Sequence, residues 1–580
     1  MDFMKLKRLF LLLMAFVIGL TLVLTGCNGG VDTPKANRYA QATGSPYTPA
    51  PDNPLIKKTN MYDNGYKFDP PVTVSVIRYY GPQVRFQAGE SIDNNVWTQA
   101  YEKYCGIKLK SLFTVTDFTK YDLKVTTSIA TDSLPDIMPI YTTLFFRVAD
   151  SGRTKDLRPY YDKYLDAPLK TYMETAFGGT AYQTCFRNGI LAALAPPSGQ
   201  NPSMQWIRQD WLDRYNQPWP ATINDSIKLM KFFCKKNPGA PASPQTFAFP
   251  INTNVSTGFE NAFGAYSGIW IDDENGGLMR SDVSPKWKTV LQILSDLYAD
   301  GYLDPDFTLN AQSVVETQMT NQQYGFDYNY RTAPDGLLNN TIAYNPKAIW
   351  KSGEIMDENG APAKMQVSTR VADFTCVNKK SKYPEALMFL MNVYGDLIGG
   401  VGIEFRKYHD FLASDGTHYD SFFYPFATMK YPIVDNGAVI AAAQKANDLS
   451  KLTGEQLGII EKFKDWTEKK DSYGWRLWAI LSPGGSAETQ KKIINSNNIY
   501  PDRGWGPETQ AWIDHGPDLS SNRTTMFSRI VRGDVSVEAG FDEWVTYFTN
   551  NGGQDATTEI SEWWKEVGKA SIDNFTKTNK

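Results

Sequence analysis

Aromatic and polar side chains cluster at four points of the chain where they could hold a small ligand. The clusters are Arg78-Tyr79-Tyr80, Tyr141-Thr142-Thr143, Gly325 to Arg331, and Asp471 to Arg476. A flat aromatic ring stacks on an apolar ligand face, and polar groups beside it form directional hydrogen bonds. Packing within loops is the alternative interpretation of each cluster. The residues that we expect to contact a ligand are Tyr79, Tyr80, Tyr141, Trp206, Trp270, Tyr328, Tyr330, Arg406 and Trp475.

Residues that commonly bind metals are sparse. The chain contains three histidines and neither a Cys-x-x-Cys nor a His-Glu-x-x-His motif. The acidic run from Asp272 to Gly277 lacks the alternating oxygen ligands and the final glutamate of a calcium-binding EF-hand loop, so we expect a hairpin turn there. The sequence therefore predicts no metal site, and it carries no motif that indicates a cofactor or a catalytic residue.

Alternating strand and helix patterns place two of the clusters at the ends of strands. The predicted strands cover residues 72–77, 107–113 and 134–140, and the predicted helices between them cover residues 95–104 and 121–131. This order is typical of a parallel α/β sheet, whose ligands bind beyond the carboxyl ends of the strands. Tyr79 and Tyr141 follow two such ends.

Length and composition indicate a globular protein with more than one core. A chain of 580 residues exceeds what one hydrophobic core supports, and the 42% hydrophobic and 21% charged residues are ordinary globular values. The net charge of −4 argues against nucleic-acid binding, which requires a basic surface.

The N-terminus has the pattern of an export signal. Basic residues precede an uncharged apolar run from Leu9 to Leu24, which is short for a membrane-spanning helix. The run ends in Leu24-Thr25-Gly26-Cys27, which resembles the lipobox of bacterial lipoproteins. The resemblance implies that residues 1–26 are a signal peptide and that Cys27 becomes the lipidated N-terminus, with an uncleaved anchor helix as the alternative. Residues 27–70, rich in Gly, Pro, Thr and Asn, are then expected to form a flexible tether.

Four further cysteines follow Cys27. An even number outside the cell permits disulfides, but the wide spacing is not that of a disulfide scaffold, and cysteine is commonly buried. The sequence leaves two alternatives for Cys105, Cys185, Cys234 and Cys376: all four are free thiols, or at least two of them form a disulfide.

Several segments, taken in order, resemble the extracellular solute-binding proteins of bacterial ABC importers, and among them the lipoproteins that serve oligosaccharide importers. The segments extend over nearly the whole mature chain. They are Ser133-Leu134-Pro135-Asp136-Ile137, residues 156–164, Trp206-Ile207-Arg208-Gln209-Asp210-Trp211-Leu212-Asp213, and residues 220–225, 297–307, 506–509 and 532–553.

The resemblance implies a two-lobed α/β fold of the class II periplasmic-binding-protein type, with a ligand cleft between lobes that are joined by crossing hinge segments. We expect a first lobe over residues 71–180, completed by part of 331–440, and a second over 181–330, completed by 441–580. A sugar presents apolar C–H faces and rims of hydroxyl groups, which suits the aromatic and polar clusters.

The resemblance further implies a monomeric lipoprotein, anchored to the outer face of the cell membrane by palmitate or a similar lipid. It would capture an extracellular oligosaccharide and deliver it to the permease subunits of an ABC importer. A surface-anchored glycan-degrading enzyme is the main alternative, because it could share the signal, the tether and the abundant aromatic residues. A glycosidase needs two carboxylates about 5–10 Å apart, and the 63 Asp and Glu residues leave such a pair open. An adhesin or scaffold, or a peptide or other nutrient as the ligand, is a further alternative.

Overall fold

The computed structural model describes residues 47–61, 65–80, 84, 86, 88–116, 118–176, 180–196, 201–252, 255, 258–368, 373–402, 405, 408, 435–506 and 508–569. The predicted signal peptide, Cys27 and Arg406 lie outside these residues. Within the described ranges, no helix is long and apolar enough to cross a membrane.

The first part of the chain forms a sheet with flanking helices. The strands in this part of the chain are β1 (Ile56–Lys58), β2 (Tyr66–Phe68), β3 (Val72–Tyr79), β4 (Ile107–Val115), β5 (Ile137–Tyr141), β6 (Phe186–Arg187) and β7 (Ile190–Leu191). Its helices are α1 (Val96–Cys105), α2 (Phe118–Ala130), α3 (Thr142–Asp150), α4 (Arg158–Tyr164), α5 (Ala167–Thr175) and α6 (Thr180–Thr184). Strand β3 pairs in parallel with β4 and β5, which confirms the predicted parallel α/β pattern.

The ends of α1 are fixed by the residues beside it. The Asn95 side chain accepts hydrogen bonds from the backbone N–H groups of Trp97 and Thr98 and so caps the start of the helix. Gly106 ends it with a φ of 66°, and a β-carbon there would lie 2.1 Å from the Phe68 carbonyl oxygen. Glycine is therefore required, and the turn it makes leads directly into β4 beside β3.

The second part of the chain is built around a three-stranded antiparallel sheet. The strands in this part of the chain are β8 (Met204–Arg208), β9 (Trp270–Asp272), β10 (Leu278–Arg280), β11 (Phe326–Asn329), β12 (Trp350–Gly353) and β13 (Met365–Val367). Its helices are α7 (Gln209–Arg214), α8 (Ile223–Lys236), α9 (Lys286–Ala299), α10 (Gln312–Thr320) and α11 (Leu337–Tyr344). Strand β8 is central, between β11 and β12. Helix α8 is capped by Thr222, whose hydroxyl accepts from the Asp225 N–H at 3.1 Å.

Arg208 fixes the junction between β8 and α7. Its buried guanidinium donates to both carboxylate oxygens of Asp210 at 2.8 and 2.7 Å and to the Gln322 side chain at 2.8 Å. It also lies 4.6 Å from the centre of the Trp211 ring. Because two hydrogen-bond partners and an aromatic ring fix the position of this guanidinium, they also hold the end of β8 in register beside β11.

The chain then rejoins the first sheet and continues into C-terminal helices. The elements are β14 (Asp373–Val377), α12 (Ala386–Gly399), α13 (Asn436–Ala446), α14 (Gly454–Lys469), α15 (Ser472–Leu481), α16 (Ser486–Asn495), β15 (Ile499–Pro501), α17 (Gln510–Val531), α18 (Val537–Phe548) and α19 (Gln554–Trp563). Strand β14 runs antiparallel to β5 and completes the sheet order β14-β5-β3-β4.

The apolar side chains form two large cores. The first core draws its buried residues from positions 50–195 and 374–408. The second draws them from positions 204–367 and 466–548. The chain therefore passes between the cores in a first crossing, residues 195–204, and returns in a second crossing, residues 367–374. It enters the second core again between residues 408 and 466. The predicted lobe boundaries stay predictions.

The segment from Tyr47 to Phe68 packs against the first core, whereas we expected a flexible tether up to residue 70. The Tyr47 hydroxyl donates to Asp162, and the Asn53 amide donates to Glu385 at 2.5 Å. Strands β1 and β2 pair, and Phe68 is fully buried. Proline and asparagine suggested a tether, but Phe68 is buried in the first core and Tyr66 packs against it.

The four cysteines beyond Cys27 are free thiols, which decides between the two alternatives that the sequence left open. Cys105, Cys185 and Cys376 are buried and Cys234 is half-buried. Burial raises the pKa of all four thiols, and that of Cys234 to about 12. Thiols that stay protonated and buried are poor nucleophiles and do not oxidise readily.

Candidate functional site

Three tyrosines meet at the carboxyl ends of the parallel strands, and we call them the tyrosine cluster. Tyr79 ends β3, Tyr141 ends β5, and Tyr121 of α2 lies between them, with ring centres 6.4 and 6.1 Å away. Both contacts are edge-to-face, the geometry that aromatic rings prefer. Tyr79 is 43% exposed, so part of its ring remains open to a ligand.

The Tyr141 phenol is kept neutral by its surroundings. Burial raises its pKa well above the usual range, and the carboxylates of Asp373 and Asp122 raise it further. Asp373 is the residue paired with Tyr141 across β14 and β5. A neutral phenol can donate a hydrogen bond to a ligand as well as accept one.

A polar cavity of about 650 Å³ lies in the second part of the chain, and we call it the amide pocket. Amide, carboxylate and aromatic side chains from β11, β13 and the loops around them line this cavity. These side chains are Asn201, Asn252, Asn310, Asn329, Gln366, Glu260, Asp327, Tyr328 and Tyr330. The volume falls within the usual range of small-molecule sites.

The two carboxylates of the amide pocket are deeply buried. Glu260 accepts a hydrogen bond from the Gly258 N–H at 2.9 Å. Asp327, 3% exposed, accepts one from the Asn329 amide at 3.2 Å. Burial raises the pKa of Asp327 to about 6, because the charged form loses hydration that this bond only partly replaces.

Most amide groups of the pocket are oriented by neighbouring side chains or backbone. The Asn310 amide donates to Asp304 at 2.6 Å, and the Gln366 amide donates to the Ser267 carbonyl at 3.1 Å. The Asn201 side-chain oxygen differs, since it is buried and meets no hydrogen-bond partner among the described residues. It is therefore a buried acceptor whose hydrogen-bonding capacity the described residues leave unused.

The predicted contact residues fall into different environments. Tyr328 and Tyr330 line the amide pocket, and Tyr330 is 47% exposed. Tyr79 and Tyr141 belong to the tyrosine cluster, whereas the Tyr80 ring packs edge-to-face on Phe86. Arg406 lies outside the described residues.

The three predicted tryptophans are buried, so their rings as placed offer no open face to a ligand. Trp206 packs in the second core and its indole N–H donates to the Tyr330 carbonyl at 3.3 Å. Trp270 packs edge-to-face on Trp512, and Trp475 on Trp466. This corrects the expectation of stacking contacts, because other side chains of the protein, Trp512 and Trp466 among them, pack on these rings. Sequence reasoning also missed Tyr121 and the pocket amides, whose only signal was their place beside predicted elements.

The tyrosine cluster and the amide pocket lie at opposite ends of the second crossing. Ser368 lines the pocket, and Asp373 pairs with Tyr141 beside the cluster. Five residue steps of at most about 3.6 Å separate them, so their Cα atoms are at most about 18 Å apart. Asn201 and Ser203 of the first crossing also line the pocket. An elongated ligand could therefore reach both groups.

The acidic run in the second part is a hairpin, as predicted. Strands β9 and β10 are antiparallel, and the Asp273 side chain accepts from the N–H groups of Asn275 and Gly277 at 2.8 and 2.7 Å. No group of three or more His, Cys, Asp or Glu side chains suited to a metal ion occurs among the residues that the structure describes.

Comparisons with known proteins identify similar sequences in Bacillus subtilis strain 168. The chain is 27% identical over 109 residues to the polygalacturonan/rhamnogalacturonan-binding protein YtcQ, covering 18% of this chain and 22% of that protein. It is 22% identical over 228 residues to lipoprotein LipO, covering 37% of this chain and 43% of that one. The chain thus matches less than half the length of either relative.

Solved structures show the same fold. An HMO-binding, ABC-transporter-associated solute-binding protein from Bifidobacterium longum infantis ATCC 15697 aligns with a TM-score of 0.57 at 14% identity, covering 86% of this chain and 99% of that one. The predicted two-lobed α/β fold of the class II type is confirmed. The family model of bacterial extracellular solute-binding proteins matches residues 86–416, more than half of the chain. The chain belongs to the family of bacterial extracellular solute-binding proteins.

Proposed function

We propose that this chain captures an extracellular oligosaccharide and delivers it to the permease subunits of an ABC importer. The observation that carries the proposal is the pairing of an amide-lined pocket with a partly exposed tyrosine cluster across one crossing segment. The names of the relatives, one a polygalacturonan/rhamnogalacturonan-binding protein and one an HMO-binding protein, support a glycan as the ligand.

The chemistry of the two groups matches an oligosaccharide. Amide and carboxylate oxygens accept hydrogen bonds from sugar hydroxyl groups, and tyrosine rings stack on the apolar C–H faces of sugar rings. The Cα atoms of Ser368 and Asp373 are at most about 18 Å apart, a span that a chain of several linked sugar units could bridge. We propose Tyr79, Tyr141 and Tyr330 as the aromatic contacts. Tyr328, which we also expected to contact a ligand, lines the pocket but is 3% exposed and packs edge-to-face on Phe249 and Phe259.

We propose that the two cores are the cores of the two lobes and that the crossings are hinge segments. A ligand held by both groups touches both lobes, so it stabilises the arrangement in which they are close. This would let the importer distinguish the loaded protein from the empty one. We expect the protein to act as a monomer.

A binding protein and a glycan-degrading enzyme can be distinguished by incubating the same purified protein with an oligosaccharide. The purified protein is expected to bind an oligosaccharide, with a stabilisation of about 2.7 kcal/mol at a ligand concentration one hundred times Kd, and to release no new reducing ends. Calorimetry and thermal unfolding measure the first property, and a reducing-end assay the second.

The control for this experiment is Asp327→Asn, since a buried carboxyl with a pKa near 6 is also what a general acid needs. Turnover that scales with wild-type protein and disappears in Asp327→Asn would replace the binder with the enzyme. Absence of binding to every oligosaccharide tested would contradict the proposed function itself.

We also propose that Cys27 anchors the protein to the outer face of the membrane. The name of lipoprotein LipO supports this, together with the sequence before Cys27. Replacing Cys27 with serine is expected to leave the precursor uncleaved or to release the protein, because the thiol that receives the lipid is gone. Intact mass and membrane fractionation of the expressed protein measure both effects.

Cys234→Ser is the matched control, because Cys234 is a half-buried thiol far along the chain from the lipobox. It should be processed and fractionate like the wild type. A Cys27→Ser variant that keeps the wild-type mass and membrane attachment would refute the lipid anchor.

A further inference from the structure

The charged groups that line the amide pocket are of one sign. Asp327 and Glu260 contribute carboxylates that are 3% and 2% exposed. The other described lining residues carry amide, hydroxyl, apolar or backbone groups, and none of them is Lys, Arg or His. The described lining is therefore negative wherever Asp327 is ionised.

The hydrogen-bonding capacity of the pocket is also biased. The Asn329, Asn310 and Gln366 amides each donate within the protein, to Asp327, Asp304 and the Ser267 carbonyl. The buried Asn201 oxygen has no described partner, and Asp327 has only acceptor atoms when ionised. Ionised Asp327 thus adds acceptors that cannot donate, whereas the lining hydroxyl groups of Ser203, Tyr330 and Thr332 can do either, so a ligand that donates hydrogen bonds suits this end of the pocket.

Sugar hydroxyl groups donate, whereas an ionised sugar carboxylate only accepts. A carboxylate placed near Asp327 would meet a like charge in surroundings with little water, where repulsion is stronger than in solution. Proteins usually bind carboxylates through arginine or lysine, and the described lining contains neither.

We propose that the amide pocket selects neutral oligosaccharides over acidic ones and that Asp327 is the main determinant of this selectivity. The inference rests on the proposed function and names the ligand class of the same site. It sets this chain apart from the polygalacturonan binding in the name of its relative, which matches 18% of the chain.

The test uses pairs of oligosaccharides that differ only at C6. One member is an oligogalacturonate, and the other is the same chain after reduction of its carboxylates to alcohols. Corresponding neutral and oxidised pairs of glucose, mannose and galactose oligomers complete the panel. Calorimetry near neutral pH at low salt gives a neutral-to-acidic affinity ratio for each pair.

For the wild type we expect the neutral member of any pair that binds to be favoured at least about tenfold. Asp327→Asn removes the charge at nearly constant shape and should reduce the ratio severalfold. Asn201→Asp adds a carboxylate to the lining and should increase it. Glu274→Gln, an exposed carboxylate on the β9–β10 hairpin, is the control and should leave the ratio unchanged.

Melting temperatures of all variants establish that each is folded. Asp327→Asn and Asn201→Asp are expected to change the affinity ratio in opposite directions, so if one variant fails to fold, the other still tests the inference. Acidic members that bind as tightly as their neutral partners would overturn the inference while leaving the proposed function intact. An unchanged ratio in both Asp327→Asn and Asn201→Asp would overturn the role of the pocket. Binding of no member of the panel would contradict the proposed function and the inference with it.

Discussion

Replacing Tyr330 with alanine is expected to weaken oligosaccharide binding about ten- to hundredfold with little change in melting temperature. The ring lines the amide pocket and is 47% exposed, so it contributes ligand contact rather than core packing. Stacking on an aromatic ring is worth about 1–3 kcal/mol on the scale known for base–aromatic contacts, which gives this range of affinity. Tyr79→Ala is expected to have an effect of similar size from the other end of the second crossing.

Isothermal titration of both variants, beside the wild type, measures this prediction. Tyr344→Ala is the matched control, because Tyr344 is a 59% exposed ring on α11 that does not line the amide pocket. Its affinity should equal that of the wild type. Unchanged affinity in Tyr79→Ala and Tyr330→Ala alike would place the ligand elsewhere on the protein.

Much of the fold could be predicted because its signals are local. The β-branched run at Val72 and the helical periodicity after it depend on neighbouring residues, and strands β3, β4 and β5 appear in that order. The motif around Arg208 and Asp210 stabilises the fold, because the two side chains pair at the β8–α7 junction. The positions of Tyr79 and Tyr141 followed from the same logic, since strand ends in a parallel sheet share one edge.

The site could be predicted only in part because ligand contact depends on partners distant in sequence. Trp206 and Tyr330 both suggested stacking, yet the Trp206 ring is 1% exposed while the Tyr330 ring is open. Nothing in the residue type separates these outcomes, which depend on packing between strands and helices. Asn201 and Gln366 carried no aromatic or charge signal, and they became candidates only when the two crossings placed them in one pocket.

Closure of the lobes on the ligand is the second large effect that we expect. The empty protein should populate open arrangements, because in them the amide pocket and the tyrosine cluster are each hydrated. One oligosaccharide touching both groups favours the closed arrangement by its extra contacts. Raising the population of the closed arrangement from about 1% to about 99% requires the ligand to bind it about 5.5 kcal/mol more tightly than the open arrangement. Several stacked and hydrogen-bonded sugar units are expected to supply this difference.

Small-angle X-ray scattering of the wild type, with and without a saturating oligosaccharide, measures this closure directly. Scattering of Tyr344→Ala under the same conditions is the control and should match the wild type. We expect the radius of gyration to fall when the ligand is added, and to fall less in Tyr79→Ala, in which the ligand makes fewer contacts with the first lobe. Identical scattering of the free and bound wild type, with calorimetry showing that the oligosaccharide is tightly bound, would contradict this expectation.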